Sequence, residues 1–549
     1  MRVMAATMSR ALILCASLAI ATLACGRIPG TATPLPAPRV SPATPAPHAA
    51  ALTVAVEYGI LGVAGDYAAT GVTYAKPQLV YGIWGNLEPE RGRYVWGPLD
   101  AVVQEYQAAG FTGLQILLSA ESPWAASRQP KLGDLGDTFP QAEYLADYKE
   151  FVTRVVERYD ADGTEDMPGL LYPVRHYGVE REFTGFWPGT ADEYVRLLRI
   201  AYPAIKTADP EADVLLVALL MSDAFDGAPG PEETAERLAT TPSFRKSLAD
   251  IRTILAACDA YDIVDFHSLG DYTEIPPTAD WIRAELARNG CGDRPIWIGD
   301  AFPMSGLVGF GGFVAPIPFD PVTAETRDAV VALLKSVADP DNADHDAAQA
   351  WLYAETARGL VKKIAVSAGA GLAGVNIGNL EDWKTGVPAA DALAVPSLGA
   401  SMFMGLMDTT ITSQRPGGSL PYSGHLWSQA RKAGAARPGF YALKLAYATI
   451  GAFTAVERLD LGASVWAYRF DTPRGKAWVL WYDDGKLYLP GQPPATITVQ
   501  LPFDAARARV TRTPTQTGDE GTTTEIAAQG GMLALTLDPT PVFVQAPPP

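Results

Sequence analysis

Residues 263–300 read IVDFHSLGDYTEIPPTADWIRAELARNGCGDRPIWIGD, and this stretch decides the fold. Two apolar runs of strand length, Ile263–Phe266 and Pro295–Ile298, enclose a longer segment of helical texture. Strand, helix, strand is the repeating unit of a parallel sheet, because two parallel strands must be joined by a crossover. Working outward, similar apolar runs stand at Leu52–Val56, Leu79–Trp84, Gly113–Leu118, Val174–Val179, Val214–Leu219 and Gly374–Ile377. Asp100–Ala108, Tyr148–Tyr159 and Ala191–Ala201 place apolar residues three and four apart, with Thr190 as a cap for the last. About eight such units predict a closed (β/α)8 barrel, a TIM barrel, over residues 51–451. An open doubly wound sheet is the other α/β solution, but no Gly-rich phosphate loop follows the first strand.

The texture changes after residue 451. Ser464–Phe470, Ala477–Tyr482, Ala495–Leu501 and Met532–Leu537 alternate apolar and polar residues between turn signals. That pattern predicts an antiparallel β-sandwich over 452–549, packed on the barrel.

At the other end, Arg2 and Arg10 precede an apolar run, Ala11–Ala24, that is short for a membrane span. It ends Thr22-Leu23-Ala24-Cys25-Gly26, which resembles a bacterial lipoprotein cleavage site with Cys25 as the acylated residue. Residues 1–25 are expected to be a signal peptide. Residues 26–50, rich in Pro, Ala, Thr and Ser, are expected to be a semi-rigid tether. The expected location is the outer face of a bacterial membrane, with secretion as the second choice. Cys258 and Cys291 each precede a strand of the opening stretch. An exported protein permits a disulfide between them, and two buried thiols are the other reading.

A net charge of −18 repels phosphate backbones, so nucleic acid is not an expected partner. Five His with no pair at ligand spacing give no reason to expect a metal, and no cofactor motif is visible. No G-x-S-x-G elbow is present for serine hydrolysis.

In a barrel, chemistry gathers at the carboxyl ends of the strands. The fourth strand ends Gly178-Val179-Glu180-Arg181-Glu182, the sixth Asp265-Phe266-His267, the seventh Ile298-Gly299-Asp300, and the eighth Asn376-Ile377-Gly378-Asn379-Leu380-Glu381-Asp382-Trp383. Carboxylates thus end strands four, seven and eight, and a His ends strand six. Two carboxylates facing one another suit glycoside hydrolysis: one protonates the leaving oxygen and the other attacks the anomeric carbon or activates water.

The segment Trp84-Gly85-Asn86-Leu87-Glu88-Pro89-Glu90-Arg91-Gly92-Arg93-Tyr94-Val95-Trp96, with Leu99-Asp100, resembles the second-strand signature of clan A glycoside hydrolases, closest to the family 39-like and cellulase-like enzymes. Ser122-Pro123-Trp124-Ala125, Tyr202 with Ala208-Asp209-Pro210, Asp262–His267 and Pro295–Asp300 follow in that clan's order. The resemblance implies an oligosaccharide or glycoside as substrate or ligand, Glu182 as general acid/base, Asp300 at the nucleophile position, and His267 lining a sugar subsite. It also implies departures. Arg181 replaces an Asn that hydrogen-bonds the sugar, and Asp300 replaces a Glu, withdrawing the carboxylate by about 1.5 Å unless the backbone moves. A catalytically lapsed carbohydrate-binding lipoprotein is therefore the alternative, and a pair using Glu180 or Glu381 is a third.

Trp84, Trp124, Tyr272, Asn376 and Trp383 are the further substrate-binding candidates. Trp187 is as readily a packing residue. Glu180 is expected to pair with Arg181, Glu121 to be a solvated loop charge, and His176 to sit in the barrel lumen.

Overall fold

The protein is described from a computed structural model over residues 51–127, 139–225, 227–240, 246–303, 324–380, 382, 403–411 and 431–547. Eight parallel strands close a barrel in chain order. They are β1 (Thr53–Gly59), β2 (Tyr74–Pro77), β3 (Gly113–Leu118), β4 (His176–Val179), β5 (Asp213–Leu220), β6 (Ile263–Ser268), β7 (Ile296–Ala301) and β8 (Gly374–Ile377). Pairing of Val54 with Val375 joins β1 to β8 and completes the ring.

The barrel follows from strand alternation, since successive side chains point to opposite faces. Val214, Leu216, Val264, Phe266, Ile296 and Ile298 face outward into the large core beneath the helices. Their neighbours Leu215, Val217, Ile263 and Trp297 face inward and fill the lumen with Leu117. The helices that cover the outside include α1 (Gly97–Ala108), α2 (Leu145–Tyr159), α3 (Ala191–Ala208), α4 (Leu248–Leu255), α5 (Ile275–Arg288), α6 (His345–Gly369) and α7 (Pro438–Ile450). Thr190 caps α3 in a reciprocal box with Glu193, as its position before the apolar repeat predicts.

The second strand is not where the apolar pattern put it. Leu79–Gly82 is a 3-10 turn and Trp84–Leu87 a single helical turn; β2 is the shorter, more polar Tyr74–Pro77. The apolar run is buried for another reason. It folds back over β3, so closely that a Cβ on Gly82 would lie 1.8 Å from the Leu117 carbonyl.

Beyond the barrel come a hairpin of β9 (Met407–Ile411) and β10 (Arg431–Ala436), then eight antiparallel strands. These are β11 (Ala455–Arg458), β12 (Val465–Thr472), β13 (Gly475–Tyr482), β14 (Ile497–Pro502), β15 (Arg507–Arg512), β16 (Thr523–Ala527), β17 (Met532–Leu537) and β18 (Val542–Gln545). They form one sheet in the order β11-β12-β13-β18-β15-β16 and a second of β14 and β17. Val465, Trp478, Leu480, Val499, Leu533 and Leu535 share a core between them, which makes this region a β-sandwich. Asp483, after β13, ties it to the barrel by accepting from the Tyr272 hydroxyl (2.6 Å) and from Lys362 Nζ (3.0 Å).

Cys258 and Cys291 are joined in a disulfide, with their Cα atoms 5.7 Å apart, at the amino ends of β6 and β7. Among the described residues no helix is long and apolar enough to cross a membrane. Cys25 and the tether lie outside the described residues.

Candidate active site

Period-2 alternation alone would turn Asp300 away from the lumen. In β7, Trp297 points inward and Ile298 outward, so an unbroken strand would place Gly299 inward and Asp300 outward. The register shows the break: Phe266 pairs with Ile298, but His267 pairs with Asp300. On the other side Ile298 pairs with Val375 and Ala301 with Ile377. Gly299 is thus one extra residue in β7, a bulge that turns Asp300 to the inner face beside His267.

The bulge is held from both sides. Asp265 Oδ1 accepts from the Gly299 N–H (2.8 Å), and Lys76 Nζ donates to the Gly299 carbonyl. A Cβ at residue 299 would lie 2.0 Å from Asp265 Oδ2, so a side chain there would have to displace Asp265 or the bulge. Burial raises the Asp265 carboxyl to about 6, against the opposing pull of His267 and Lys76.

β1 carries a matching irregularity. Val56 pairs with Ala75 and Gly59 with Pro77, so β1 has one residue more than β2 across this span. Tyr58 sits there at φ +52°, a left-handed conformation that costs a side-chain-bearing residue roughly 1–2 kcal/mol. The kink lets consecutive residues reach one target. The Tyr58 hydroxyl donates to Asp300 Oδ2, and the Glu57 carboxyl beside it feels the charge of Asp300. The Ala301 N–H also donates to Glu57 Oε1 (3.3 Å). Burial first, and then the charge of Asp300, push the Glu57 carboxyl well above the usual glutamate range; Lys76 pulls the other way. Burial and Asp300 likewise raise the Tyr58 phenol, which also feels Glu57 and Glu182.

The opposite wall comes from β4. The strand stops at Val179 because Glu180 adopts φ +66°. Glu180 is fully buried and accepts from the Ala120 N–H (2.7 Å), which anchors the turn that presents Glu182. Glu182 Oε1 is 2.8 Å from His267 Nδ1. Burial opposes a charge on His267, but the Glu182 carboxylate, with Asp265 and Asp300, outweighs it and raises the imidazole pKa. Glu182, Asp300 and His267 are 7%, 5% and 9% exposed, so all three are screened from bulk water.

Arg181, for which the sequence suggests Glu180 as partner, pairs with Glu121 Oε2 at 2.8 Å. Glu121 is correspondingly buried and is no solvated loop charge. The arginine's positive charge thus has a carboxylate partner other than Glu182.

Several candidates lie elsewhere. Trp84 is fully buried, stacked on Phe151 and bonded through Nε1 to Glu88 (2.7 Å); it is a core residue because the strand it was meant to end is a helical turn. Trp124 packs edge-on against Trp84 and donates to the Glu88 carbonyl. Trp187 is buried beside Tyr194. Asn376 points into the lumen, where it bonds Gln115 (2.8 Å), the Gly299 carbonyl and Trp297; it supports the floor under the bulge. Tyr272 joins barrel to sandwich through Asp483 and Trp481. His176 lines the lumen against Tyr74 and Trp297, and burial lowers its pKa to about 4. Glu381, Trp383 and most of the loops after β7 and β8 fall outside the described residues.

Sequence reading missed Glu57, Tyr58 and Lys76. It ended the first strand at Val56 and put the second strand at the wrong run. A Glu-Tyr-Gly sequence directly after the apolar Val54-Ala55-Val56 was the available signal.

Among the described residues, Glu157, Asp160 and Asp162 form the group with metal-ligand spacing, at the end of α2 and the start of the loop that follows it.

No protein-family model matches the chain, and no curated protein matches it in sequence. Solved structures do. A family 39 glycoside hydrolase from Bacteroides cellulosilyticus WH2 is 13% identical with a TM-score of 0.54, over 90% of this chain and 81% of that one. A monomeric β-xylosidase from Caulobacter crescentus CB15 is 13% identical with a TM-score of 0.51, over 90% and 97%. A glucosidase from Croceicoccus marinus is 12% identical with a TM-score of 0.50, over 87% and 90%. At these identities the likeness is one of fold: the chain has the barrel architecture of glycoside hydrolases of the kind its motifs resemble.

Proposed function

We propose that the protein is a glycoside hydrolase with a two-carboxylate, retaining mechanism. One observation carries the reading: Glu182 bonds His267 at 2.8 Å, and His267 stands in register beside Asp300, so both carboxylates meet at the carboxyl end of the barrel. Glu182 protonates the glycosidic oxygen as the bond to the anomeric carbon breaks. Asp300 attacks that carbon and forms a glycosyl ester. Glu182, now the base, takes a proton from water, which cleaves the ester and restores both groups. The bulge at Gly299 answers the shortened side chain, because it moves the backbone that carries Asp300. The similarity in fold to a β-xylosidase and a glucosidase supports a glycoside substrate. Anchoring by lipid at Cys25 is part of the same reading, and the Cys258–Cys291 disulfide supports an oxidising compartment.

One observation favours the lapsed, carbohydrate-binding alternative. The net rise at His267 favours a proton on the imidazole beside Glu182, whereas the acid role calls for one on Glu182.

The test is hydrolysis of a panel of aryl glycosides by the purified protein alongside Glu182→Gln and Asp300→Asn. Turnover of any member, lost in both variants, establishes the hydrolase. Oligosaccharide binding without turnover assigns the alternative.

A further inference from the structure

A cavity of about 550 Å³ lies where α6 faces the sandwich, and no step of the proposed mechanism uses it. Its lining comes from α6, from the turn after β6, and from residues 483–494 between β13 and β14. Asp271 and Pro303 on its border follow β6 and β7, so the cavity adjoins the carboxyl end of the barrel, where Glu182 and Asp300 stand. A volume of this size suits a small ligand, and such pockets gather at the junctions of domains.

The wall on α6 follows from helical spacing. Trp351, Glu355, Arg358 and Lys362 stand at i, i+4, i+7 and i+11, one stripe of the helix. Lys362 is already committed, because its Nζ donates to Asp483 Oδ2 (3.0 Å) and lies over the Tyr272 ring. Arg358 donates through Nε to Thr540 (2.9 Å) and through Nη1 to Glu355 Oε1. Among the described residues, a donor (Arg358 Nη2) and an acceptor (Glu355 Oε2) of this ion pair are left without a partner. The facing loop is preformed. Asp483 Oδ1 accepts from the Gly485 N–H (2.9 Å), the Tyr488 hydroxyl donates to Asp484 Oδ2 (2.7 Å), and Trp351 Nε1 donates to the Tyr488 carbonyl (2.8 Å).

Charge and shape then select the ligand. Three acids (Asp271, Glu355, Asp483) and three cations (Arg358, Lys362, Lys486) line the cavity, so it favours neither an anion nor a cation. What it offers is one donor, one acceptor and aromatic ring surface. A sugar hydroxyl both donates and accepts, and the C–H face of a pyranose packs on an aromatic ring.

Resting on the reading that this chain handles carbohydrate, we propose that the cavity is a second binding site for a neutral oligosaccharide, apart from the Glu182–Asp300 pair. Glu355 Oε2 accepts from one hydroxyl, Arg358 Nη2 donates to its neighbour, and Tyr488 packs on the sugar ring. A glycan held there stays beside the end of the barrel that carries the acid–base groups.

Calorimetric titration of xylotetraose and of cellotetraose into Glu182→Gln, which suppresses turnover, tests the site. Two binding events per chain are expected. One of them should weaken by about tenfold or more in Glu355→Ala and in Tyr488→Ala, the scale of a lost charge-assisted hydrogen bond or aromatic contact, while the other stays. Ala347→Trp guards against misfolding, because Ala347 is exposed on the first turn of α6 and lines the cavity. A large ring there fills the space without removing core packing, and should abolish the same event at an unchanged melting temperature. A single event, or two that survive Ala347→Trp, overturns the proposal, and so does the absence of binding by both sugars. Aryl-glycoside turnover by the wild type keeps the two readings apart. Turnover with no event lost in the cavity variants sinks this site alone; an event lost in them, without turnover, sinks the hydrolase reading and leaves the site standing.

Discussion

The two ends of the barrel are built from the same strands and obey different rules. At the amino end, before β4 to β7, several acids meet cations. Arg175 pairs with Asp209 across neighbouring strands, Lys206 holds Asp262 at 2.8 Å, and Arg294 donates to the Cys258 carbonyl at 2.6 Å. The disulfide closes this end between β6 and β7. At the carboxyl end, four acids (Glu57, Glu182, Asp265 and Asp300) share Lys76 and His267, and two residues with side chains, Tyr58 and Glu180, adopt positive φ. One end is paired and cross-linked. The other gathers four buried acids around two cationic side chains, an arrangement that persists only where the surrounding structure imposes it. The contrast separates stability from chemistry along a single strand of six residues, Ile296–Ala301.

Substitutions at the carboxyl end should therefore cost rate, and those at the amino end stability. The largest effect is expected from Glu182→Gln and Asp300→Asn. Each should lower kcat by roughly 10²–10⁴-fold or more, the range of acid–base contributions, with folding intact by circular dichroism. Replacing both cysteines, Cys258→Ser with Cys291→Ser, should remove about 3–4 kcal/mol of stability for a loop of 33 residues and leave kcat unchanged. Denaturant unfolding measures the first and steady-state kinetics the second; a fall in kcat would show that the ends are not independent. Gly299→Ala tests both claims at once. The added methyl meets Asp265, so the bulge must shift, with a loss of about 100-fold in kcat and a lower melting temperature. Unchanged turnover in this variant would refute the role of the bulge.

The smallest effect is one of sign. The folded Asp265 carboxyl stands at about 6 against an ordinary 3.8. The stability it adds is complete below 3.8, declines as pH rises, and is gone above about 6. Against Asp265→Asn, the wild-type melting temperature should thus slip by a few degrees between these pH values. A wild type that gains on the variant over the same interval would mean that Lys76 and His267 outweigh burial.

What could be read from the sequence was what alternation and spacing control. β3 and β8 run at Gly113–Leu118 and Gly374–Ile377, as their apolar runs predict, and α3 begins at its Thr190 cap. The positions of Glu182, His267 and Asp300 at strand ends were legible because a barrel sends chemistry there. Three things were not. Leu79–Trp84 is as apolar as a strand but is buried as a turn over β3, and apolarity alone does not distinguish the two. The bulges in β1 and β7 break the period on which sequence reading depends, so the inward turn of Asp300 and the paired reach of Glu57 and Tyr58 were invisible. Asn376, in β8, and Tyr272, in the turn after β6, have partners, Gln115 and Asp483, that are far away in sequence. Nothing local distinguishes such residues from ligand contacts.

The central claim is that the Gly299 bulge makes Asp300 the nucleophile opposite Glu182. The most direct measurement is mass spectrometry of the protein after incubation with a panel of 2-deoxy-2-fluoro glycosyl fluorides, which slow cleavage of a glycosyl ester more than its formation. The account predicts an adduct of one fluorosugar on the peptide that contains Asp300, absent in Asp300→Asn. An adduct on any other carboxylate, or turnover of glycosides with none trapped at Asp300, would contradict it.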